Sequence, residues 1–153
     1  MSGERIAVSP ASDADREFSY QVKKIAEGDL VRRWFGWDET VQRGFFAREW
    51  SERRPSVVWF EDVRVGTVDV RHREGVMEIG QFFILPEYQN RGIGSTVLKE
   101  ALQRADAQGL VARLAFLNGN RVESLYRRNG FGLVHRTETH SYMERQPERR
   151  EEA

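Results

Sequence analysis

FFILPEYQNRGIGSTVLKEAL, Phe82 to Leu102, carries an apolar run into a proline, a polar loop with Gly92 and Gly94, and then an amphipathic helical repeat. A strand that enters a helix through glycines presents backbone N–H groups at the positive end of the helix dipole. Glycine matters in such a turn because a side chain there would block close approach of an anion. A phosphate held there gains ~0.3–1 kcal/mol from the dipole, with charge-assisted hydrogen bonds from the amides added to it. Arg91 stands at the same mouth. The loop is not G-x-x-x-x-G-K-[ST], and Val97 occupies the place of a third glycine in G-x-G-x-x-G, so neither an ATP/GTP loop nor a dinucleotide fingerprint is present. What remains is Gln89-x-x-Gly92-x-Gly94, which taken alone fits a structural turn better than a site.

Working outward, the period of the apolar residues changes in a readable order. RIAVS reads as a strand stopped by Pro10. A helix is predicted from Asp13 to Glu27, with Phe18, Val22, Ile25 and Ala26 on one face and Gly28 as its stop. DLVRRWFGWDE is less regular, and a second helix is predicted from about Asp38 to Ser51 with Phe45, Phe46 and Trp50 inside. SVVWFED, RVGTVDVRHR and GVMEIGQFFIL read as an antiparallel meander with turns near Asp62 and Glu74-Gly75. Ile93, Val97, Leu98, Ala101, Leu102 and Ala105 share a helix face that Gly109 ends. LVARLAFLN is a strand, RVESLYRRNG a short helix closed by Gly130, and FGLVHRTET and HSYMER are two last strands. The predicted order is β-α-α-β-β-β-α-β-α-β-β. It describes a mixed α/β domain, mostly antiparallel, with one parallel crossover through the Ile93–Gln108 helix.

Composition narrows the class. The 153 residues fit one domain, 1–145, and the run from Arg145 to Ala153 reads as loose, with 146–153 a flexible charged tail. Lys+Arg and Asp+Glu are both 24, so no net charge draws the chain to nucleic acid or membrane. Cysteine is absent, which removes disulfides, a thiolate nucleophile and thiolate zinc sites. With no apolar signal core and no membrane-length run, the expectation is a soluble cytoplasmic protein.

The glycine loop has a companion later in the chain: NGNRVESLYRRNGF, Asn118 to Phe131. The pair resembles the GNAT N-acetyltransferase superfamily over roughly Ser56 to Met143. FGWDE and TETHSYM also resemble segments of small bacterial GNAT proteins, whose acceptors are largely undefined. The resemblance implies the GNAT acyl-CoA fold, with helices on both faces of the sheet, and acetyl-CoA as acyl donor with no metal. It places Gln89 and the amides of Asn90, Arg91, Gly92, Ile93, Gly94 and Ser95 on the pyrophosphate. The backbone of Phe82, Phe83 and Ile84 would take the pantetheine as an added strand. Asn120 stands six residues before Tyr126, where many members have seven, so Asn118 is the alternative.

For chemistry the resemblance points to Tyr126, protonated at neutral pH, as the acid for the departing thiolate. Outside the motif it would read as a core tyrosine bonded to backbone. Glu78 alternates with Gly80, Phe82 and Ile84 and stands where some relatives carry a catalytic base, acting directly or through water. An ordinary solvent-facing glutamate is the equal alternative. His140 is the second candidate base or acceptor residue, and a backbone amide at Phe83 or Ile84 would serve the oxyanion. Trp34, Trp37, Asp38 and Glu39 gather aromatics with acids suited to a cationic amine, although a core role for the tryptophans and a dipole role for the acids fit equally. The expected reaction is acetyl transfer to a primary amine of a small molecule in a ternary complex. A protein lysine or N-terminal amine, or a non-catalytic acyl-CoA sensor, are the alternatives. A homodimer through the late strands is the expected assembly.

Overall fold

The computed structural model describes residues 5–148, and the elements follow the order read from the apolar periods. β1 (Ile6–Pro10) precedes two helices, α1 (Arg16–Phe35) and α2 (Glu39–Glu52). Next come β2 (Ser56–Phe60), β3 (Val63–Arg73), β4 (Val76–Ile84) and α3 (Ile93–Gln108). β5 (Val111–Leu117), α4 (Glu123–Arg128), β6 (Gly132–Arg136) and β7 (His140–Arg145) complete the chain. The strands hydrogen-bond in the order β1-β2-β3-β4-β5-β7-β6. β4 and β5, joined through α3, pair in parallel, whereas β1–β2, β2–β3, β5–β7 and β6–β7 are antiparallel. This is the mixed, mostly antiparallel α/β architecture that the sequence predicts. Among the described residues no helix is long and apolar enough to cross a membrane.

The described chain gathers into two compact units, 5–69 with 81–96 and 70–80 with 97–148. In the first unit, Glu61 and Asp62 turn β2 into β3 with φ of 49° and 68°, the left-handed pair that a tight hairpin demands. α1 and α2 pack through Tyr20, Phe46 and Trp50. The Tyr20 and Phe46 rings meet edge to face at 5.3 Å, a contact worth ~0.5–1.5 kcal/mol beyond its buried area. Asp38 caps α2 by accepting the Val41 amide at 3.0 Å.

Three details differ from the sequence reading. α1 runs straight through Gly28, which is buried inside it, and stops at Gly36, whose φ is 75°. A glycine inside a helix costs only ~1 kcal/mol, so packing overrides it, and the irregular DLVRRWF becomes the last turns of α1. Ile25 and Phe45, expected inside, are 53% and 54% exposed. Tyr20 and Val22, rather than Ile25, fill the buried face of α1.

In the second unit Val97, Leu98, Ala101, Leu102 and Ala105 are all buried along α3, and Gly109 ends that helix at φ 68°. The chain turns from β3 into β4 at Glu74 and Gly75, with φ of 52° and 77°. Tyr126 packs between Phe116 and Phe131, with centroids at 5.8 Å and 5.7 Å. Arg145 is not loose as expected. It is buried and forms a two-pronged pair with Asp106 at 2.8 and 3.1 Å. The chain continues in place to Glu148, whose amide donates to Asp106 Oδ1 at 2.8 Å; residues 149–153 of the predicted tail lie outside the described residues.

Candidate active site

The loop between β4 and α3 lies in the first unit, and its geometry follows from its glycines and one asparagine. Asn90 has φ 63° and Gly92 φ 80°, two left-handed residues that asparagine and glycine tolerate best. The Thr96 amide donates to the Gly92 carbonyl at 3.0 Å, so Gly92 caps α3 and the amides of Ile93, Gly94 and Ser95 lie ahead of the first intrahelical bond. A Cβ at Gly92 would meet no heavy atom within 4 Å; the space in front of it is open. Gln89 donates its side-chain amide to the Ile84 carbonyl at 2.8 Å, which ties the loop to the end of β4. The Arg91 guanidinium lies 5.2 Å from the Tyr88 ring centroid, at the edge of the same loop. Orphan amides, an open glycine and a nearby cation together suit a diphosphate.

β4 prepares the approach to this loop. Its ladder with β5 covers only Val76–Glu78 against Val111–Arg113. Gln81 takes φ 46° inside β4, so the alternation expected from Glu78 through Gly80 to Phe82 breaks there. The kink is held from two sides. Thr67 Oγ1 donates to the Gln81 carbonyl at 2.7 Å, and the Gln81 side chain donates to the Arg53 carbonyl at 3.3 Å. Gly66 of β3 makes room for the segment after the kink: a Cβ there would stand 2.2 Å from the Phe83 carbonyl oxygen. The Phe82 and Ile84 side chains both reach Gly94, with a Cβ there 3.7 and 3.6 Å from them. The three strand residues and the loop thus form one structure within the first unit.

The second unit carries the other candidates. Tyr126 is 5% exposed, and burial pushes its phenol well above the ordinary tyrosine range. Its backbone amide bonds Val122, but no hydrogen bond from its hydroxyl is found among the described residues. Asn120 Oδ1 accepts the Val122 amide at 3.1 Å and so shapes the entry into α4. Asn118 instead accepts the Ser141 hydroxyl at 2.6 Å and donates to the Thr137 and Glu138 carbonyls. Glu78 stands opposite Arg113 in the β4–β5 register and has Arg73 Nε 3.8 Å away. His140 Nδ1 shares a 2.8 Å hydrogen bond with Thr139 Oγ1.

The acid–aromatic cluster sits where α1 meets α2, again in the first unit. Glu39 is its hub. Tyr20 Oη donates to it at 2.9 Å, Trp37 Nε1 at 2.9 Å, Lys24 Nζ at 3.1 Å and Arg43 Nε at 3.3 Å. The Trp37, Lys24 and Tyr20 bonds hold its carboxyl down at about 2. Lys24 and Arg32 lie over the Trp37 ring at 5.6 and 5.5 Å, while Trp34 is partly exposed near the end of α1 beneath Arg33. These residues meet one another through the chain's own cations.

Several residues that shape the two regions escape a reading of the sequence. Gln81 carries no signal, because its left-handed conformation is imposed by Thr67 and Arg53. Gly66 does carry one, since a lone glycine in a strand marks a close backbone approach. Arg145 and Asp106 find each other across 39 positions, a pairing no local pattern reveals.

The family model of the acetyltransferase (GNAT) family matches residues 19–131. No curated protein matches the chain in sequence. PaiA N-acetyltransferase from Thermoplasma acidophilum, solved in complex with coenzyme A, superposes with a TM-score of 0.72 at 19% identity, over 92% of this chain and 98% of that one. PH1933 from Pyrococcus horikoshii OT3 gives 0.74 at 17% identity, covering 94% and 99%. The ribosomal-protein-S18-alanine N-acetyltransferase of Escherichia coli gives 0.67 at 14% identity, covering 96% and 97%. At these identities the likeness is one of fold.

Proposed function

The chain belongs to the acetyltransferase (GNAT) family, and from that premise we propose that it moves the acetyl group of acetyl-CoA to a primary amine of a small molecule. The observation that carries the reading is the loop from Asn90 to Ser95, with Gly92 at φ 80° before open space and the first α3 amides unpaired. Gln89 and Arg91 frame it. The pantetheine lies along Phe82, Phe83 and Ile84, whose backbone is outside the β5 ladder, as an added strand would. Asn120 steadies the same arm. No metal is needed for this chemistry.

The amine attacks the thioester carbonyl directly in a ternary complex. A C–N bond forms, the C–S bond breaks, and the nitrogen's proton passes to Glu78 or to water. Tyr126 gives its proton to the departing thiolate. Its raised pKa keeps that proton in place through the neutral range. On the acceptor side Trp34, Trp37 and Glu39, with His140, receive the ammonium form, which first gives one proton to solvent so that the neutral amine is what attacks. Lys24 already places a primary ammonium on Trp37 and Glu39, which supports the chemistry of that set and requires an acceptor to displace it. A protein amine is the second reading, favoured by Phe35, Val41 and Phe45, which leave an exposed apolar surface on α1 and α2. The protein works in the cytoplasm, as a homodimer paired through its late strands, within a single domain spanning 1–145.

The experiment is calorimetric titration with acetyl-CoA and with dephospho-CoA, followed by thiol release over a panel of small amines and of peptides with free lysine or N-terminal amines. Micromolar binding of acetyl-CoA and turnover on a small amine are expected. Absence of binding by folded protein would end the reading, and turnover on peptides alone would replace the acceptor.

A further inference from the structure

α4, Glu123–Arg128, is six residues long, too short to hold its own shape in water. Two arginines grip it, one at each end. At the start, Arg136 Nη2 donates to Glu123 Oε1 at 3.0 Å, while Arg136 Nε donates to Ser141 Oγ at 2.8 Å. The buried Ser141 passes the tether on to Asn118 Oδ1 at 2.6 Å. At the finish, Arg145 Nε donates to the Asn129 carbonyl at 2.9 Å while its two other nitrogens hold Asp106. Asn129 in turn donates its side-chain amide to the Leu125 carbonyl at 2.8 Å. Gly130, at φ 94°, lies flat against the Arg145 stem, with a Cβ there 3.3 Å from Nε.

Tyr126 sits between the two grips. Two ring contacts place its body, and no hydrogen bond fixes its hydroxyl among the described residues. We propose that Arg136 and Arg145 are positioning residues for Tyr126: clamping α4 by both ends, they fix where the phenol hydroxyl stands. The proposal rests on the reading of Tyr126 as the acid, and a misplacement of about 1 Å in such a group slows a reaction by ~10²-fold. Neither arginine touches the reacting atoms.

The test uses the full-length protein labelled with [13Cζ]tyrosine and saturated with acetyl-CoA, with Tyr126→Phe to assign the signal. Arg136→Gln, at a half-exposed position, and Arg145→Lys are expected to move or broaden the Tyr126 signal and leave those of Tyr20 and Tyr88 in place. In thiol release from acetyl-CoA, with n-butylamine or water as acceptor, each should lower the rate about tenfold beside Tyr126 and not at all beside Tyr126→Phe. If Arg145→Lys does not fold, Arg136→Gln decides alone. An unchanged Tyr126 signal, or equal losses in both backgrounds, overturns the proposal. Should Tyr126→Phe itself release thiol at the wild-type rate, the acid reading falls, while the tyrosine signal still decides whether the clamp exists.

Discussion

The loop before α3 and the helix α4 are each held in shape, by opposite means. The loop is made of backbone: two left-handed residues, a run of unpaired amides and one glutamine folded onto Ile84. α4 is held by side chains that reach it from β6 and β7, the second of them braced on Asp106 of α3. A backbone device tolerates most substitutions except those that change φ or fill the space where the ligand lies. A side-chain device is the reverse: its backbone is ordinary, and deleting one guanidinium or carboxylate undoes it.

Gly92→Glu should break the loop most completely. The substitution puts an L side chain at φ 80°, which costs ~1–2 kcal/mol, and sets a carboxylate where the diphosphate belongs. Titration calorimetry should find acetyl-CoA affinity lower by about a thousandfold, roughly 4 kcal/mol, in a protein that still folds. Retained affinity would return the loop to a plain turn.

The next effect falls on the side-chain device. Asp106→Asn leaves the Arg145 guanidinium, whose side chain is 7% exposed, with only the exposed Glu148 carboxylate at 3.9 Å as counter-charge, and should lower stability by about 3 kcal/mol at neutral pH. The Arg145 bond holds the Asp106 carboxyl below its usual range. Its contribution is therefore full above the unfolded carboxylate value of about 3.9 and is lost as pH falls through the lower folded value. Urea unfolding at pH 7 and at pH 3 should show wild type and variant far apart at the first and closer at the second. An equal gap at both would assign the stability to something other than the ion pair.

Tyr126→Phe comes next, with thiol release slower by about a hundredfold and acetyl-CoA affinity unchanged. Because burial raises the phenol pKa, ionisation of Tyr126 should cause no loss of rate below about pH 10. An alkaline limb near pH 8 that disappeared in the phenylalanine variant would contradict both the burial and the role.

This contrast also explains how much of the molecule was legible in its sequence. The periods of α3 and of the strands announce themselves because burial enforces them, and the glycine loop announces itself because few residues accept its backbone. Gly28 misled because a single glycine does not stop a helix whose next turns pack well. Phe45 misled because an aromatic in a helical period need not face inward. The clamp on α4 was invisible: Arg136 sits 13 residues from Glu123 and Arg145 sits 39 from Asp106, and neither arginine differs in sequence from its many charged neighbours. Gln81 was invisible for a related reason, since its conformation is set by Thr67 and Arg53.

Gly94→Ala should have the smallest effect and draws the finest line, because it separates two glycines that look alike in the sequence. Gly94 has no left-handed φ, and a Cβ on it would make ordinary contacts, 3.6 Å from Ile84 and 3.7 Å from Phe82. Alanine also favours a helix over glycine by up to ~1 kcal/mol. The variant should therefore be as stable as wild type or slightly more so, with acetyl-CoA affinity within about twofold, whereas Gly92→Ala should weaken binding through its Cβ and its strained φ. If alanine at Gly94 instead abolished binding, the ligand would have to pass closer to the Gly94 Cα than to Gly92, and the two glycines would exchange importance.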